Sequence, residues 1–222
     1  VPTARYGAFT DRAAARAFLD RLDGLFVVKT DGLAAGKGVL VTGDREEADA
    51  AVAAYLSGDA FGDAGRRVVI EQGLTGPELS VLAVCDGTTA VPLAPAQDFK
   101  RLGDGDSGPN TGGMGAYSPV PVATERLVDD LMEDAVLPTL AALQSRGIDY
   151  RGVLYCGLML TPDGPRVLEY NVRFGDPETQ VVLPRMVDDL ADLLAAAAAG
   201  ILRDSPTFDD NATVTVVCAT EG

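Results

Sequence analysis

The sequence predicts an α+β fold with two units. Short strand and helix patterns alternate over residues 1 to about 72. Two later strand patterns, at 150–160 and 166–172, are joined by a Pro-Asp-Gly turn, which predicts an antiparallel pair. Helical patterns flank that pair, at 124–146, 177–186 and 190–202. A glycine-rich turn at 73–77 separates the two stretches and predicts a hinge between them.

The composition is that of a folded globular protein, and it excludes several kinds of function. The 222 residues are 47% apolar and 23% charged, which is enough for a substantial core. The net charge of −15 argues against a nucleic-acid surface, because such a surface needs a basic stripe. The chain has no histidine, so imidazole acid–base catalysis and histidine-ligated metals are excluded.

The cysteines and the apolar segments indicate the cellular compartment in which the protein is expected. Cys85, Cys156 and Cys218 are odd in number and lie in apolar runs, so buried reduced thiols are expected rather than disulfides or a zinc site. The longest apolar helical tract, 190–202, is too short to cross a bilayer, and no signal peptide is present. We therefore expect a cytoplasmic protein without a membrane partner. Both ends of the sequence resemble cuts through a longer protein.

The first unit is predicted to contain four strands and two helices. The strands are expected at 5–9, 26–30, 39–42 and 67–72. The helices are expected from the capping residue Thr10 to about residue 22, and at 45–56.

A glycine-rich loop at 31–38 joins the second and third strands. It is not a Walker A motif, because only three residues separate Gly32 from Gly36-Lys37 and a strand follows instead of a helix. A hairpin whose glycines approach an anion closely, with charge from Lys29 and Lys37, fits these residues better. The alternative is an ordinary hairpin turn, which would need neither three glycines nor two lysines.

The turn at 73–77 leads to a strand that carries a candidate nucleotide contact. Backbone groups in the turn are free to bind a purine edge. Glu78, the first residue of the predicted strand 78–85, can accept hydrogen bonds from sugar hydroxyls. On the residues alone, a plain hairpin is the favoured alternative.

Residues 92–121 show little regular periodicity and are predicted to form a long functional loop. Asp98, Lys100 and Arg101 form a charged cluster that suits an anionic, hydroxylated ligand. Gly113 lies in a Gly-Gly-Met-Gly run, which allows the backbone to approach that ligand closely. The alternative is a disordered segment.

The stretch 166–178 carries the clearest candidate for a metal site. Glu169, Asn171 and Arg173 are expected on one face of a strand, because alternate side chains point the same way. The opposite face is expected to be apolar, with Leu168, Tyr170 and Val172. A carboxylate and an amide oxygen on a rigid strand suit Mg²⁺, whose other positions are filled by water and substrate phosphates. The alternative is an edge strand with a solvated polar face.

Together these motifs resemble one enzyme family. The resemblance is carried by the glycine loop at 27–38, the charged cluster at 97–101, the glycine-rich run at 104–119 and the segment 169–180. These segments are similar to those of the glycinamide ribonucleotide synthetases, or phosphoribosylamine-glycine ligases, an ATP-grasp family of purine biosynthesis. The glycine-rich run is specific to this family, whereas Lys29 and the Glu169/Asn171 pair would fit many ATP-grasp enzymes.

The resemblance implies an ATP-grasp fold, with two α+β subdomains that sandwich ATP, and a ligation reaction. In that reaction ATP phosphorylates the carboxylate of glycine. The amine of 5-phosphoribosylamine then attacks the acyl phosphate to give glycinamide ribonucleotide, ADP and phosphate. The implied cofactors are ATP, as co-substrate, and Mg²⁺ or Mn²⁺. A monomer with no nucleic-acid partner is expected.

The resemblance also implies roles for individual residues. The metal would be held by Glu169 and Asn171. ATP would be contacted by Lys29, Asp31, Gly36, Lys37 and Gly38 at its phosphates, by Glu71 and Leu74 at adenine, and by Glu78 at the ribose. Glycine and 5-phosphoribosylamine would be faced by Asp98, Lys100, Arg101, Gly113, Arg173 and Asp176. The implied catalytic residues are Lys100, Arg173 and Asp176.

Two departures from the family pattern affect what the resemblance implies. Phe99 stands where the family usually has histidine, so any hydrogen bond from that position is lost, although the neighbouring charges remain. The family also has a domain before the equivalent of Val1 and another that begins near residue 213, and neither is complete in this sequence. The expected organisation is a lid subdomain at 1–72, a central subdomain with the metal and substrate site at 73–203, and the start of a truncated domain at 204–222.

Two other functions stay open at the level of sequence. One is an ATP-grasp ligase for a different carboxylate, against which the run 108–117 argues. The other is a non-catalytic ATP-binding module, against which the intact metal pair and phosphate lysines argue. For the ligase itself, the family's substrate site draws on the missing parts, so the resemblance implies that this piece alone can bind ATP without turnover.

Overall fold

The computed structural model describes residues 1–32, 38–105 and 107–220. The chain forms two compact units: a small unit, Ala4–Thr75, and a large unit, Val1–Thr3 with Gly76–Gly222. The chain therefore passes from one unit to the other inside the turn at 73–77. The domain boundaries expected from the sequence stay a prediction, and the units are described one at a time below.

The small unit is a four-stranded antiparallel sheet with two helices. Its elements are β1 (Tyr6–Phe9), α1 (Arg12–Leu19), β2 (Phe26–Thr30), β3 (Val39–Thr42), α2 (Arg45–Leu56) and β4 (Val68–Gln72). The strand order is β1-β4-β2-β3, and every pair is antiparallel. The predicted elements are thus confirmed, with small shifts at their ends. The core between the helices and the sheet is apolar and includes Leu19, Val28, Val52 and Ile70.

Both helices of the small unit begin at an aspartate. The side chain of Asp11 accepts from the amide of Ala14 at 2.8 Å, and Asp44 caps α2 in the same way. The prediction that Thr10 caps the first helix is therefore wrong by one residue. Thr10 and Asp11 are both good capping residues, and their order alone does not choose between them.

The large unit contains two antiparallel sheets and four α-helices. Its elements are β5 (Glu78–Asp86), β6 (Ala90–Pro92), β7 (Gln97–Gly103), β8 (Ser107–Ser118), α3 (Glu125–Leu131), α4 (Leu137–Ser145), β9 (Arg151–Thr161), β10 (Gly164–Asn171), α5 (Thr179–Val182), α6 (Leu190–Ala199) and β11 (Thr213–Val216). The strand orders are β10-β9-β5-β6 and β11-β8-β7. The predicted antiparallel pair of β9 and β10 is confirmed.

The four-stranded sheet of the large unit has a separate apolar core on each face. One core packs against α3 and α4 and includes Leu79, Leu158 and Leu140. The other packs against α5 and α6 and includes Leu82, Tyr155 and Val182. Because both faces are covered, the central strands β5 and β9 are almost continuously apolar. The polar residues of β5 therefore lie near its two ends, with Glu78 and Ser80 at one end and Asp86, which pairs with Arg151, at the other.

The long loop expected at 92–121 is wrong, because most of it forms the hairpin of β7 and β8. Gln97 pairs with Tyr117 and Phe99 pairs with Gly115, with two register shifts further along. The rings of Phe99 and Tyr117 stack with their centroids 6.0 Å apart. Glycines have no side chain to alternate, so a glycine-rich strand carries almost no period-two signal although its backbone pairs normally.

Several helices differ from the sequence prediction. The helix expected at 124–146 starts at the predicted cap Thr124 but contains a π-helical segment, Met132–Val136, between α3 and α4. The helix expected at 177–186 is only four residues long and continues as a 3-10 turn at Leu183–Arg185, which contains a proline. The last helix ends at Gly200, whose φ of 74° is left-handed, and so stops before residue 202.

The cysteine prediction is partly wrong. All three thiols are free, and Cys85 and Cys156 are buried as expected, but Cys218 is exposed after the edge strand β11. Burial raises the pKa of Cys85 to about 11 and that of Cys156 to about 12, so both stay protonated at neutral pH. Within the described residues, no helix is long and apolar enough to span a membrane.

Candidate active site

One end of the four-stranded sheet presents a polar face in the large unit. Gly157 on β9 lies directly opposite both Ser80 on β5 and Glu169 on β10. Opposed residues of antiparallel strands share a face, so Ser80 and Glu169 lie on the same side, separated by a residue without a side chain. Tyr155 opposes Asn171 on that same face. The register of the sheet therefore gathers the polar residues of three strands.

Glu169 and Asn171 are in contact, as the sequence predicted for a metal pair. The side-chain amide of Asn171 donates to Glu169 Oε1 at 3.2 Å. A bulge at residue 168 changes the expected apolar face, since Val167 and Tyr170 reach the core while Val172 is 75% exposed. The strand ends at Asn171, so the expectation that Arg173 shares its face is also wrong. The backbone amide of Val167 bonds the carbonyl of Pro2, and this bond accompanies the bulge.

The contact between Glu169 and Asn171 fits a hard divalent cation. The amide of Asn171 would rotate by half a turn to present its oxygen, and both donors are then oxygen ligands on one rigid strand. In the described parts of the chain, no three carboxylate or thiol side chains come close enough to hold a metal by themselves. The donor set is thus one carboxylate and one amide. Mg²⁺ is commonly bound by one or two carboxylates, with phosphates and water completing its coordination.

Lys100 is enclosed by carboxylates next to this pair. Its Nζ lies 2.5 Å from Glu78 Oε2 and 3.3 Å from Asp98 Oδ2. Ser80 pairs with Ala96 in an antiparallel bridge. Asp98, two residues after Ala96, therefore lies opposite Glu78, two residues before Ser80. Two predicted substrate residues and one predicted ATP residue are therefore one cluster.

The pKa values of Lys100 and Asp98 in this cluster are both raised, for different reasons. Burial acts to lower the pKa of Lys100, but the charges of Asp98, Glu78 and Glu169 outweigh it and raise that pKa. For Asp98, burial raises the pKa, Lys100 lowers it and Glu178 raises it, with a net rise. Lys100 is therefore a firmly protonated ammonium.

Gly113 and Asp176 are also brought together. A Cβ atom at Gly113 would lie 2.5 Å from Pro177 Cδ and 3.3 Å from the carbonyl oxygen of Asp176. Thr111 links this contact to the lysine, since its hydroxyl donates to the carbonyl of Lys100 at 2.9 Å and accepts from the amide of Gly113 at 3.1 Å. The side chain of Asp176 accepts from Gln180 and is exposed.

We expect Gly113→Ala to lower the free energy of unfolding by about 2–4 kcal/mol, because it combines a left-handed backbone with a steric clash. The φ of Gly113 is 124°. The matched control is Gly112→Ala, where a Cβ would meet nothing within 4 Å, and its effect should stay within about 0.5 kcal/mol. Urea unfolding of both variants measures the difference. Equal stability of the two variants would contradict the close approach at Gly113.

The two predicted substrate arginines lie on the surface. Arg101 donates to the carbonyl of Gly108 at 2.9 Å, and Arg173 donates to the carbonyl of Phe174 at 2.8 Å. Both side chains are exposed, and the structure does not bring either into the Lys100 cluster. Their roles stay predictions.

The small unit holds most of the predicted ATP contacts. Lys29 Nζ lies 2.8 Å from Glu71 Oε2, a diagonal pair on one face of β2 and β4. Asp31 pairs with Arg67 at 3.3 Å. Gly38 is buried and its carbonyl accepts from Thr30. Leu74 is half-buried in the turn after β4. Gly36 and Lys37 lie outside the described residues.

Sequence reasoning missed three buried polar residues in the large unit. Ser80 Oγ lies 2.9 Å from both the Tyr155 hydroxyl and Glu178 Oε1. Glu178 ends the Gly-Asp-Pro-Glu segment, so the motif itself could have identified it. Ser80 and Tyr155 lie in apolar strands and carry no comparable signal.

The sequence comparison identifies the family. The description "Phosphoribosylglycinamide synthetase, ATP-grasp (A) domain" matches residues 1–179. The chain belongs to this family. It is also 54% identical over its whole length to the phosphoribosylamine–glycine ligase of Caulobacter vibrioides, of which it covers 52%. It is 50% identical to the trifunctional purine biosynthetic protein adenosine-3 of Gallus gallus, of which it covers 22%.

Solved structures confirm the ATP-grasp fold of this family member. The crystal structure of phosphoribosylamine–glycine ligase from Thermotoga maritima matches 97% of the chain with a TM-score of 0.87 and 36% identity, and the match covers 55% of that protein. A biotin carboxylase complex from Campylobacter jejuni matches with a TM-score of 0.73 at 16% identity, which shows the fold alone. The chain spans about half the length of the single-function ligases that it matches.

Proposed function

We propose that the full-length protein ligates glycine to 5-phosphoribosylamine through glycyl phosphate, with release of ADP and phosphate. The observation that carries the proposal is the contact of Glu169 with Asn171, beside a lysine held by two carboxylates. The family membership supports the same reaction, since its relatives are named for it. We further propose a monomer that acts in the cytoplasm.

In this proposal the charged side chains of the protein neutralise and position the reacting groups. Phosphoryl transfer and acyl-phosphate chemistry need charge neutralisation and positioning rather than a covalent nucleophile. The ammonium of Lys100 has three donors, of which Glu78 and Asp98 occupy two, so one remains for an anionic group of a substrate. Arg173 and Asp176 supply a positive and a negative charge at the end of β10. This assignment agrees with the absence of histidine from the chain.

Glu169 and Asn171 are proposed to hold Mg²⁺ or Mn²⁺. When bound, the ion would neutralise charge on the triphosphate. The residues of the chain fix its place, because both ligands project from one strand whose register is set by β9.

The ATP contacts are proposed from both units. They are Lys29, Asp31, Gly36, Lys37, Gly38, Glu71 and Leu74 of the small unit and Glu78 of the large unit. Glu71 is already paired with Lys29, so that carboxylate holds the lysine extended on its strand face. Asp98, Lys100, Arg101, Gly113, Arg173 and Asp176 are proposed to serve glycine and 5-phosphoribosylamine.

A ligation assay of the full-length protein tests the proposal. With ATP and Mg²⁺, we expect release of ADP only when glycine and 5-phosphoribosylamine are both present. Turnover only with another carboxylate would identify a different ATP-grasp ligase. ATP binding without release of ADP would identify a non-catalytic nucleotide-binding module. Either outcome rejects the proposed reaction.

We expect Lys29→Ala to raise the dissociation constant for ATP about 10- to 100-fold, because a partly buried ammonium that meets a phosphate contributes about 1.5–3 kcal/mol. Calorimetric titration of the full-length protein with ATP measures the change. The control is Arg66→Ala in the same unit, whose side chain is 78% exposed and whose ion-pair partner among the described residues is Asp63, so ATP affinity should not change. An unaltered dissociation constant in Lys29→Ala would exclude a phosphate contact.

A further inference from the structure

A buried carboxylate that the proposed reaction does not yet use lies behind the Lys100 cluster. Glu178 is only 2% exposed. Its Oε1 accepts from the hydroxyl of Ser80 at 2.9 Å, and the hydroxyls of Ser80 and Tyr155 are themselves 2.9 Å apart. The three side chains thus form one buried hydrogen-bonded network. We name it the Glu178 network.

Two glycines make room for the Glu178 network. A Cβ atom at Gly157 would lie 3.1 Å from Tyr155 Cε1, and one at Gly175 would lie 2.5 Å from Glu178 Oε2. Ser80 and Tyr155 project from neighbouring strands on the same face of the sheet, because Ser80 opposes Gly157, two residues beyond Tyr155. The network is therefore built into the sheet register and the turn after β10.

The electrostatics of Glu178 indicate that its charge acts on Asp98. Burial of a carboxylate lowers the stability of the fold unless a cation or hydrogen-bond donors compensate for its charge. The contacts found for Glu178 in the described residues are hydroxyl groups rather than a cation. Its charge lies close enough to Asp98 to raise the pKa of that carboxyl, after the larger effect of burial.

Asp98 in turn holds Lys100. Its side chain is only 4% exposed, with Oδ2 3.3 Å from the ammonium and Oδ1 buried without a hydrogen-bond partner in the described residues. The sheet register also joins Asp98 to the Glu178 network, because Ser80 opposes Ala96, and Asp98, two residues further along, lies on the same face as Ser80. The ammonium is consequently fixed between Asp98 and Glu78.

We propose that Glu178, oriented by Ser80 and Tyr155, is a positioning residue for Asp98 and, through Asp98, for Lys100. The inference rests on the proposed function, because Lys100 is the group that would meet a substrate. It extends the site by three buried residues that do not themselves touch the substrates. A disturbed network moves the lysine, and of the proposed ATP contacts only Glu78 adjoins that lysine in the described residues.

The test uses Tyr155→Phe, Ser80→Ala and Glu178→Gln in the full-length protein. Each variant is expected to lower kcat/KM for glycine about 10- to 100-fold, because a displacement of about 1 Å at a reacting group costs that much. The KM for ATP should change much less, by about twofold, since the proposed phosphate and adenine contacts are not altered and only Glu78 adjoins the lysine. Steady-state kinetics with each substrate varied in turn separate the two effects.

The matched control is Tyr170→Phe. Tyr170 lies on the opposite face of the same sheet, where its hydroxyl donates to the carbonyl of Ala135 at 3.0 Å and contacts Thr139 at 2.9 Å. Removal of the Tyr170 hydroxyl should lower Tm about as much as removal of the Tyr155 hydroxyl. It should leave kcat/KM for glycine unchanged. Thermal unfolding of both tyrosine variants checks that they are comparably folded.

Three results would overturn the inference, and they can be told apart. If Tyr155→Phe loses only stability, as Tyr170→Phe does, the Glu178 network is structural. If Ser80→Ala, which removes the hydroxyl that contacts both Tyr155 and Glu178, keeps the wild-type constants, the link to Glu178 is excluded. If the wild-type protein ligates nothing, the proposed function fails, and the inference fails with it.

Discussion

Replacement of Glu169 by alanine in the full-length protein is expected to lower the rate of ligation about 100- to 1,000-fold or more, because a ligand of the catalytic ion is lost. Asn171→Ala should have a similar effect, since both oxygens are needed to hold the ion on the strand. Neither change should alter the free energy of unfolding by more than about 0.5 kcal/mol, because Glu169 is exposed and Asn171 is only half-buried. Steady-state kinetics and urea unfolding measure the two quantities.

The control for these variants is Asp163→Asn, at the turn that joins β9 to β10. Its exposed carboxylate lies at the other end of the same hairpin, so the ligation rate should be that of wild type. Titration with Mn²⁺, followed by water proton relaxation, adds a readout that does not depend on turnover. Wild-type rates in Glu169→Ala, or unaltered Mn²⁺ binding in both site variants, would remove the metal assignment.

Lys100→Met is expected to lower both activity and stability. Ligation should fall about 100-fold or more, because a positioned charge at the reacting group is lost. The free energy of unfolding should fall by about 1–3 kcal/mol, because Asp98 loses its cation and stays buried. Kinetics and urea unfolding on the same preparations measure both effects, and methionine keeps most of the length of the lysine side chain.

One further variant at residue 100 separates the effect of charge from that of side-chain geometry, and a variant elsewhere serves as its control. Lys100→Arg restores the positive charge and should recover most of the lost stability, but not the rate, because a planar guanidinium directs its donors differently from an ammonium. Arg126→Met removes a positive charge from a side chain that is 91% exposed and should change neither quantity. Full activity in Lys100→Met would show that the lysine serves only the ion pair.

The parts of the fold that were predicted correctly are those with a strong local signal. The strands β9 and β10 follow from an apolar run, a Pro-Asp-Gly turn and a second run, and α2 lies at the expected residues, Arg45–Leu56. The contact of Glu169 with Asn171 follows from the two-residue period of a strand. Each of these signals lies within one continuous segment of the sequence.

The elements that were predicted incorrectly have no strong local signal in the sequence. The hairpin of β7 and β8 was missed because its glycines leave the pairing to backbone groups, which the sequence does not display. The bulge at residue 168 was missed because the alternation of side chains does not reveal an extra residue in a strand, and the amide of Val167 beside it bonds the distant carbonyl of Pro2. Local periodicity contains no information about either contact.

By itself, the amino-acid sequence determined the α+β class and the family resemblance, and it suggested the ligands proposed for the site, because these depend on residue types at short spacing. Only the tertiary structure decided that Glu78 and Asp98 enclose Lys100 and that Ser80 links Tyr155 to Glu178. These partners are up to 98 residues apart in the chain. Cross-strand register brings them together, and register is set by how the whole sheet packs between its two apolar cores.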